Sequence, residues 1–153
     1  MFEPPDIRTR QEPLVRILLV DDSRSIRHAN QLVLEKAGYE VISAEDGESG
    51  LQMAREQKPD LILLDLILPK MSGPEVLRHL QAEPETADIP VVVLSSLTER
   101  NRQKLMDAGA EEYIEKNSLS PVPNVNLLPK ILENIICRIH RKRGIAFSDV
   151  PIL

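Results

Sequence analysis

Apolar and polar residues follow two rhythms along this chain. Short unbroken apolar runs, among them Ile17-Leu18-Leu19-Val20, Leu61-Ile62-Leu63-Leu64 and Val91-Val92-Val93-Leu94, are each bounded by polar or turn residues. Runs of that length fit strands buried on both faces of a parallel sheet. Between them lie stretches in which apolar residues recur every three or four positions, the helical period. The spacing predicts strands near 16–20, 40–44, 60–65, 90–94 and 112–115. It predicts helices near 23–37, 47–57, from 73 onward, 99–108 and 127–143. Five alternations of strand and helix are the signature of a doubly wound α/β fold.

Local chemistry supports these boundaries. In the first helix Ile26, Ala29, Val33 and Ala37 are expected on one inward face, with Gly38 as the stop. Asp46 is placed to cap the second helix. Gly73-Pro74 opens the third, since proline suits a first helical position, and Val76, Leu77 and Leu80 should face inward. Gly109 closes the fourth helix, and Pro129 is tolerable in the first turn of the last. Residues 1–14 carry Pro4, Pro5 and Pro13 and are expected to form a flexible arm. Residues 15–143 should form one domain and 144–153 a short tail, leaving no room for an output module.

The ends of the apolar runs carry the chemistry. The first ends in Asp21-Asp22, the third in Asp65, the fourth in Ser95 and the fifth, Tyr113-Ile114-Glu115, in Lys116. Open α/β sheets place their sites at the carboxyl edge of the strands, where these residues would meet. Three acids gathered there would repel one another without a cation, and a divalent oxygen-seeking ion such as Mg²⁺ is the natural guest. Acids, a hydroxyl and an ammonium together are the parts needed to receive a phosphoryl group.

Composition narrows the field. The chain has 153 residues, 28% charged and 42% hydrophobic, enough for one globular domain. No apolar run approaches the roughly 18 residues needed to cross a bilayer, and the Met1-Phe2-Glu3-Pro4-Pro5 start lacks the order of a signal peptide. A single cysteine, Cys137, fits a reducing cytoplasm. A net charge of −5, without tryptophan, argues against nucleic-acid binding.

The ordered set Asp21-Asp22, Asp65, Ser95 and Lys116, over roughly 15–139, resembles the receiver domain of bacterial two-component response regulators. The resemblance implies a flavodoxin-like fold: a five-stranded parallel sheet in the order 2-1-3-4-5 flanked by five helices. It implies that Asp65 accepts a phosphoryl group from a sensor histidine kinase or phosphotransfer protein. Asp21, Asp22, Asp65 and the Ile67 backbone carbonyl would serve Mg²⁺. Lys116 and Ser95 would contact phosphoryl oxygens, and Tyr113 would be the switch aromatic. Ser96 neighbours Ser95 and is its rival; counting from Ile89-Pro90 favours Ser95. Pro69 and Gly73 match the family's loop spacing, whereas Asn117 stands where the family usually has proline. The output face would be the fourth helix, fifth strand and fifth helix, read by a downstream protein target. Such a domain assists its own phosphorylation but is not an enzyme on an independent substrate. An aspartyl phosphatase would need an acid at position 67, and Ile67 occupies it.

Three further expectations follow. Leu128, Ile131, Leu132, Ile135, Ile136 and Ile139 form a stripe broader than one sheet contact needs. Either a homodimer or partner then docks on the last helix, or the apolar tail (Ile145, Phe147, Val150, Ile152, Leu153) covers it. Ile67 and Leu97 occupy positions where quickly dephosphorylating receivers carry polar groups, which implies a slow loss of the phosphoryl group. His28, His79 and His140 lack metal-ligand spacing, and the basic residues 138–143 fit a helix C-terminus.

Overall fold

The first apolar run forms strand β1 (Arg16–Val20) and pairs in parallel with β2 (Glu40–Ala44) on one side and β3 (Leu61–Asp65) on the other. Strand β4 (Val91–Ser95) adds beyond β3, and β5 (Glu112–Glu115) closes the far edge. The five-stranded order is β2-β1-β3-β4-β5, as the family resemblance implies. The computed structural model describes residues 14–96, 102–120 and 126–143.

The runs are unbroken because both faces of the sheet are covered. Successive side chains of a strand point to opposite faces. Ile17, Leu19, Leu61, Leu63, Val92, Leu94 and Ile114 therefore join one core, shared with helices α1 (Arg24–Lys36) and α5 (Leu128–Lys142). Leu18, Val20, Ile62, Leu64, Val91, Val93 and Tyr113 join the other, with α2 (Gly47–Gln57), α3 (Gly73–Ala82) and α4 (Arg102–Asp107). All ten side chains of β3 and β4, Asp65 and Ser95 included, are buried.

Caps set the helix limits. Ser23 caps α1 through the Ile26 N–H at 3.4 Å, Asp46 caps α2 through the Ser49 N–H at 2.8 Å, and Ser72 caps α3 through the Glu75 N–H at 3.4 Å. Gly38 ends α1 at φ 102°, a conformation that glycine adopts without strain.

Two expectations are corrected. Of the inward face expected for α1, Ala37 packs against the core and Val33 is half-buried, but Ile26 and Ala29 do not face inward. Ile26 is 43% exposed and Ala29 is also exposed, while Asn30 and Leu34 are buried. Arg27, at helical spacing from Asn30 and Leu34, donates to the Asp21 carbonyl at 2.7 Å. The stripe on α5 holds no spare apolar width either. Leu128, Leu132, Ile135, Ile136 and Ile139 are all buried, and Ile131 is half-buried against the same core. The tail that might have covered it, with Glu99 at the expected start of α4, lies outside the described residues.

Smaller shifts matter at the site. Asp60 stays out of β3 and accepts from the Arg16 N–H at 2.8 Å. Strand β4 begins one residue later than expected and runs through Ser95, burying that hydroxyl completely while Ser96 is exposed.

Candidate functional site

Three strand ends deliver Asp21, Asp22, Asp65 and Ser95 to one edge. The Asp21 N–H donates to the Ala44 carbonyl at 3.1 Å, continuing the β1–β2 ladder one step past the strand. That step fixes Asp21, which is 1% exposed and accepts from the Ser23 N–H at 2.9 Å. Asp22, next in sequence, is exposed. Asp65 is 7% exposed at the end of β3 and accepts from the Ile67 N–H at 3.3 Å. Carboxylate oxygens of Asp21, Asp22 and Asp65 all lie within 4.8 Å of one another.

Lys116 reaches this cluster from the fifth strand. Its Nζ is 3.1 Å from Asp65 Oδ2 and 3.3 Å from Asp21 Oδ2. The residue opens a 3-10 turn, Lys116–Ser118, and the peptide into Asn117 is trans. A four-carbon stem reaches the acids without the proline that the family usually places there. Tyr113 is buried in β5, packed into the core that α2, α3 and α4 share.

Burial pushes the Asp65 carboxyl above the ordinary aspartate range, although the Lys116 ammonium, the second-largest influence, pulls it down. For Lys116 itself burial acts to lower the ammonium, but Asp21 and Asp65 outweigh it and the net direction is upward. One ammonium serves two of three clustered acids, so Asp65 keeps a deficit of positive charge. A hard divalent cation among oxygen donors meets that deficit. The donor set therefore fits Mg²⁺, with Asp21, Asp22 and Asp65 as its carboxylates.

The loop after Asp65 is built by close approach. The Gly73 N–H donates to the Leu66 carbonyl at 2.9 Å. A Cβ at Gly73 would stand 2.5 Å from Leu66 Cα and 2.6 Å from the Asp65 carbonyl oxygen. Both are backbone atoms and cannot swing aside. Gly73→Ala is expected to cost about 1–3 kcal/mol of stability through that overpacking. Urea unfolding in chelator measures it; an unchanged midpoint would refute the close-packing account.

Sequence reasoning missed two braces of the site, the Arg27 bond to Asp21 and an ion pair between Lys70 Nζ and Asp46 Oδ2 at 3.4 Å. It also missed Glu112. One oxygen of that carboxylate lies 3.1 Å from the Arg102 guanidinium of α4, and the other 2.9 Å from that of Arg138 of α5. Arg138 and Arg143 hold Glu112, Glu111 and the Asp88 carbonyl, consistent with a structural use of the basic helix end.

The receiver-domain family model of response regulators matches residues 17–122, the span that carries every one of these strand ends. The chain belongs to that family. The phosphate regulon transcriptional regulatory protein PhoB of Pseudomonas aeruginosa is 38% identical over 89% of this receiver, which covers 56% of that protein. The chain spans about half the length of the curated relatives it matches first. Among solved structures, the chemotaxis protein CheY4 of Vibrio cholerae superimposes with a TM-score of 0.70 at 29% identity. The match covers 83% of this receiver and 99% of that chain. The receiver domain of the sensor histidine kinase PA1611 of Pseudomonas aeruginosa gives a TM-score of 0.68 at 26% identity, covering 82% of this receiver and 97% of that chain. Its structure has a magnesium ion coordinated in the active site cleft. Receivers are phosphoacceptor modules of two-component systems. They bind Mg²⁺ in the active site and interact with histidine kinases or phosphotransfer proteins. No helix among the described residues is long and apolar enough to cross a membrane.

Proposed function

We propose that this receiver takes a phosphoryl group onto Asp65 from a histidine kinase or phosphotransfer protein in the cytoplasm. It then signals to a protein target through the face formed by α4, β5 and α5. It assists its own modification and acts on no independent substrate. The observation that carries this reading is the Lys116 ammonium 3.1 Å from Asp65 and 3.3 Å from Asp21, inside a cluster of three carboxylates.

Asp21, Asp22, Asp65 and the Ile67 carbonyl would hold Mg²⁺, which supplies positive charge to the phosphoryl oxygens. A carboxylate oxygen of Asp65 forms the new bond to phosphorus. The bond from phosphorus to the donor imidazole nitrogen breaks, leaving its electron pair on the ring. Lys116 offers its ammonium to one phosphoryl oxygen and Ser95 its hydroxyl to another. Lys116 is held beside Asp65 before the reaction begins, so its charge needs little reorganisation during it.

Ser95 ends β4, and Tyr113 lies on the neighbouring strand β5, where it lines a groove with Arg102, Glu112, Ile135 and Arg138. A hydroxyl drawn toward the phosphate would pull the segment leading into α4. Glu112 bridges α4 to α5 across that groove, so movement of α4 is read at one edge of the sheet. Self-association through α5 finds no support in its stripe, which the core consumes.

The test is intact-mass measurement after incubation with acetyl phosphate and Mg²⁺, followed by mapping of the modified residue. One phosphoryl group on Asp65 is expected. No modification, with an active cognate kinase also failing, would overturn the reading, as would modification of a different residue.

A further inference from the structure

The loop between Asp65 and α3 contains a backbone outlier that the chemistry above does not use. Lys70 has φ 68°, in the left-handed region that favours glycine. The Met71 N–H bonds to the Pro69 carbonyl at 2.7 Å, two residues back, so Lys70 is the centre of a γ-turn of the positive-φ kind. That turn is rare and strained, and a lysine is disfavoured in it where a glycine is not. Such strain persists only where the surroundings over-determine it, and it gathers at functional sites.

The surroundings here are specific. At its neck the loop is closed by the Gly73 N–H on the Leu66 carbonyl at 2.9 Å. Next to its tip, the Met71 carbonyl lies so close to Gly47 that a Cβ there would meet it at 2.5 Å. From the tip, the Lys70 ammonium reaches 3.4 Å to Asp46 Oδ2. Asp46 is 5% exposed, and its other oxygen is committed to the Ser49 N–H at 2.8 Å as the cap of α2. The acid is therefore fixed in place and points one oxygen at a loop that would otherwise be free to relax. Between neck and tip lies Ile67, whose N–H already bonds Asp65 Oδ1 at 3.3 Å.

We infer that Lys70 is a positioning residue for the phosphoacceptor loop. Its ammonium, tied to the α2-capping carboxylate of Asp46, holds the strained turn that sets the Ile67 carbonyl where Mg²⁺ is bound. The inference rests on the proposed function, because it needs the ion to sit between Asp65 and that carbonyl. Lys70 does not touch the reacting atoms; it acts through the loop. The exposed ammonium, 62% accessible at the side chain, keeps the effect modest.

The experiment is a double-mutant cycle read by calorimetric Mg²⁺ titration of the unphosphorylated full chain. Its variants are Lys70→Ala, Asp46→Asn and the pair, with Lys70→Arg as the conservative change. Asparagine is as good a cap as aspartate, so Asp46→Asn removes the charge while keeping α2 capped. Each single variant is expected to bind Mg²⁺ about three- to five-fold more weakly, the pair no more weakly than either single, and Lys70→Arg close to wild type. Phosphorylation by acetyl phosphate at saturating Mg²⁺ should return to near the wild-type rate, which a general loss of folding would not allow. Melting in chelator separates folding from binding. Unchanged Mg²⁺ affinity in the singles, additive losses in the pair, or no rescue by arginine would each overturn the inference. Failure of the wild type to bind Mg²⁺, or to take a phosphoryl group on Asp65, would instead remove the proposed function beneath it.

Discussion

Acetyl phosphate with Mg²⁺ is expected to add one phosphoryl group to the wild type and none to Asp65→Ala. Lys116→Ala should react about 10²–10³-fold more slowly than wild type, the usual effect of losing one preorganised charge partner in a reacting site. The ammonium sits within 3.3 Å of both Asp21 and Asp65, so it already occupies the side where phosphoryl oxygens gather charge. Its removal should also be felt without substrate. In chelator, two buried acids would face each other without their shared cation, a loss of about 1–3 kcal/mol for such unpaired groups. The pH dependence has a definite sign. Burial already raises the Asp65 carboxyl above its unfolded value, and without Lys116 it rises further. An acid with a raised folded value binds its proton more readily in the native state. The variant's deficit is therefore full at neutral pH, and it shrinks as the pH falls through the folded value toward the ordinary aspartate range near ~3.9. Urea midpoints of wild type and variant at neutral and mildly acidic pH, with and without Mg²⁺, measure it. A deficit independent of both pH and Mg²⁺ would show that Lys116 is not the counter-charge of these acids.

The elements legible in the sequence were those whose burial is two-sided. β1, β3 and β4 read as unbroken apolar runs because helices cover both faces of the sheet, and acids at the ends of such runs can belong only to the edge. The site followed from that geometry rather than from any single motif. Counting from Ile89-Pro90 favoured Ser95 over Ser96, and the structure buries the first hydroxyl and exposes the residue after it.

Amphipathic helices were harder to read, for identifiable reasons. The inner face of α1 carries Arg27 and Asn30, whose polarity hid it, since hydropathy does not register a guanidinium spent on a backbone carbonyl. On α5 the stripe looked too wide for a sheet alone. Its surplus packs beside Leu34, Ala37 and Tyr39 near the end of α1, and against Leu119. Periodicity measures how wide an apolar face is, not how many neighbours share it. Burial there, with Glu133 and Cys137 nearby, pushes the Tyr39 hydroxyl up to about 12. Lys70 lay beyond sequence reasoning altogether, because nothing in a lysine announces a left-handed backbone.

The phosphorylated form is expected to persist for many minutes or longer without a phosphatase. Hydrolysis of an aspartyl phosphate needs a water placed in line with the bond from Asp65 to phosphorus. Ile67, two residues beyond Asp65, is 58% exposed at the rim of the site and has no side-chain hydrogen bond to offer that water. Leu97, two residues beyond Ser95, is equally apolar; it lies outside the described residues, so its contribution rests on sequence position alone. An apolar rim neither orients the water nor activates it, and a barrier raised by each ~1.4 kcal/mol slows the reaction tenfold. Ile67→Asn with Leu97→Glu restores polar groups at both positions and should speed decay by about 10- to 100-fold. Asp65, Lys116 and Ser95 are unchanged in the double variant, so the amount of phosphorylated protein formed at the outset should stay similar. Decay is followed by intact mass after removal of the phosphodonor. Loss within seconds in the wild type, or equal rates in wild type and double variant, would place control of the lifetime elsewhere in the site.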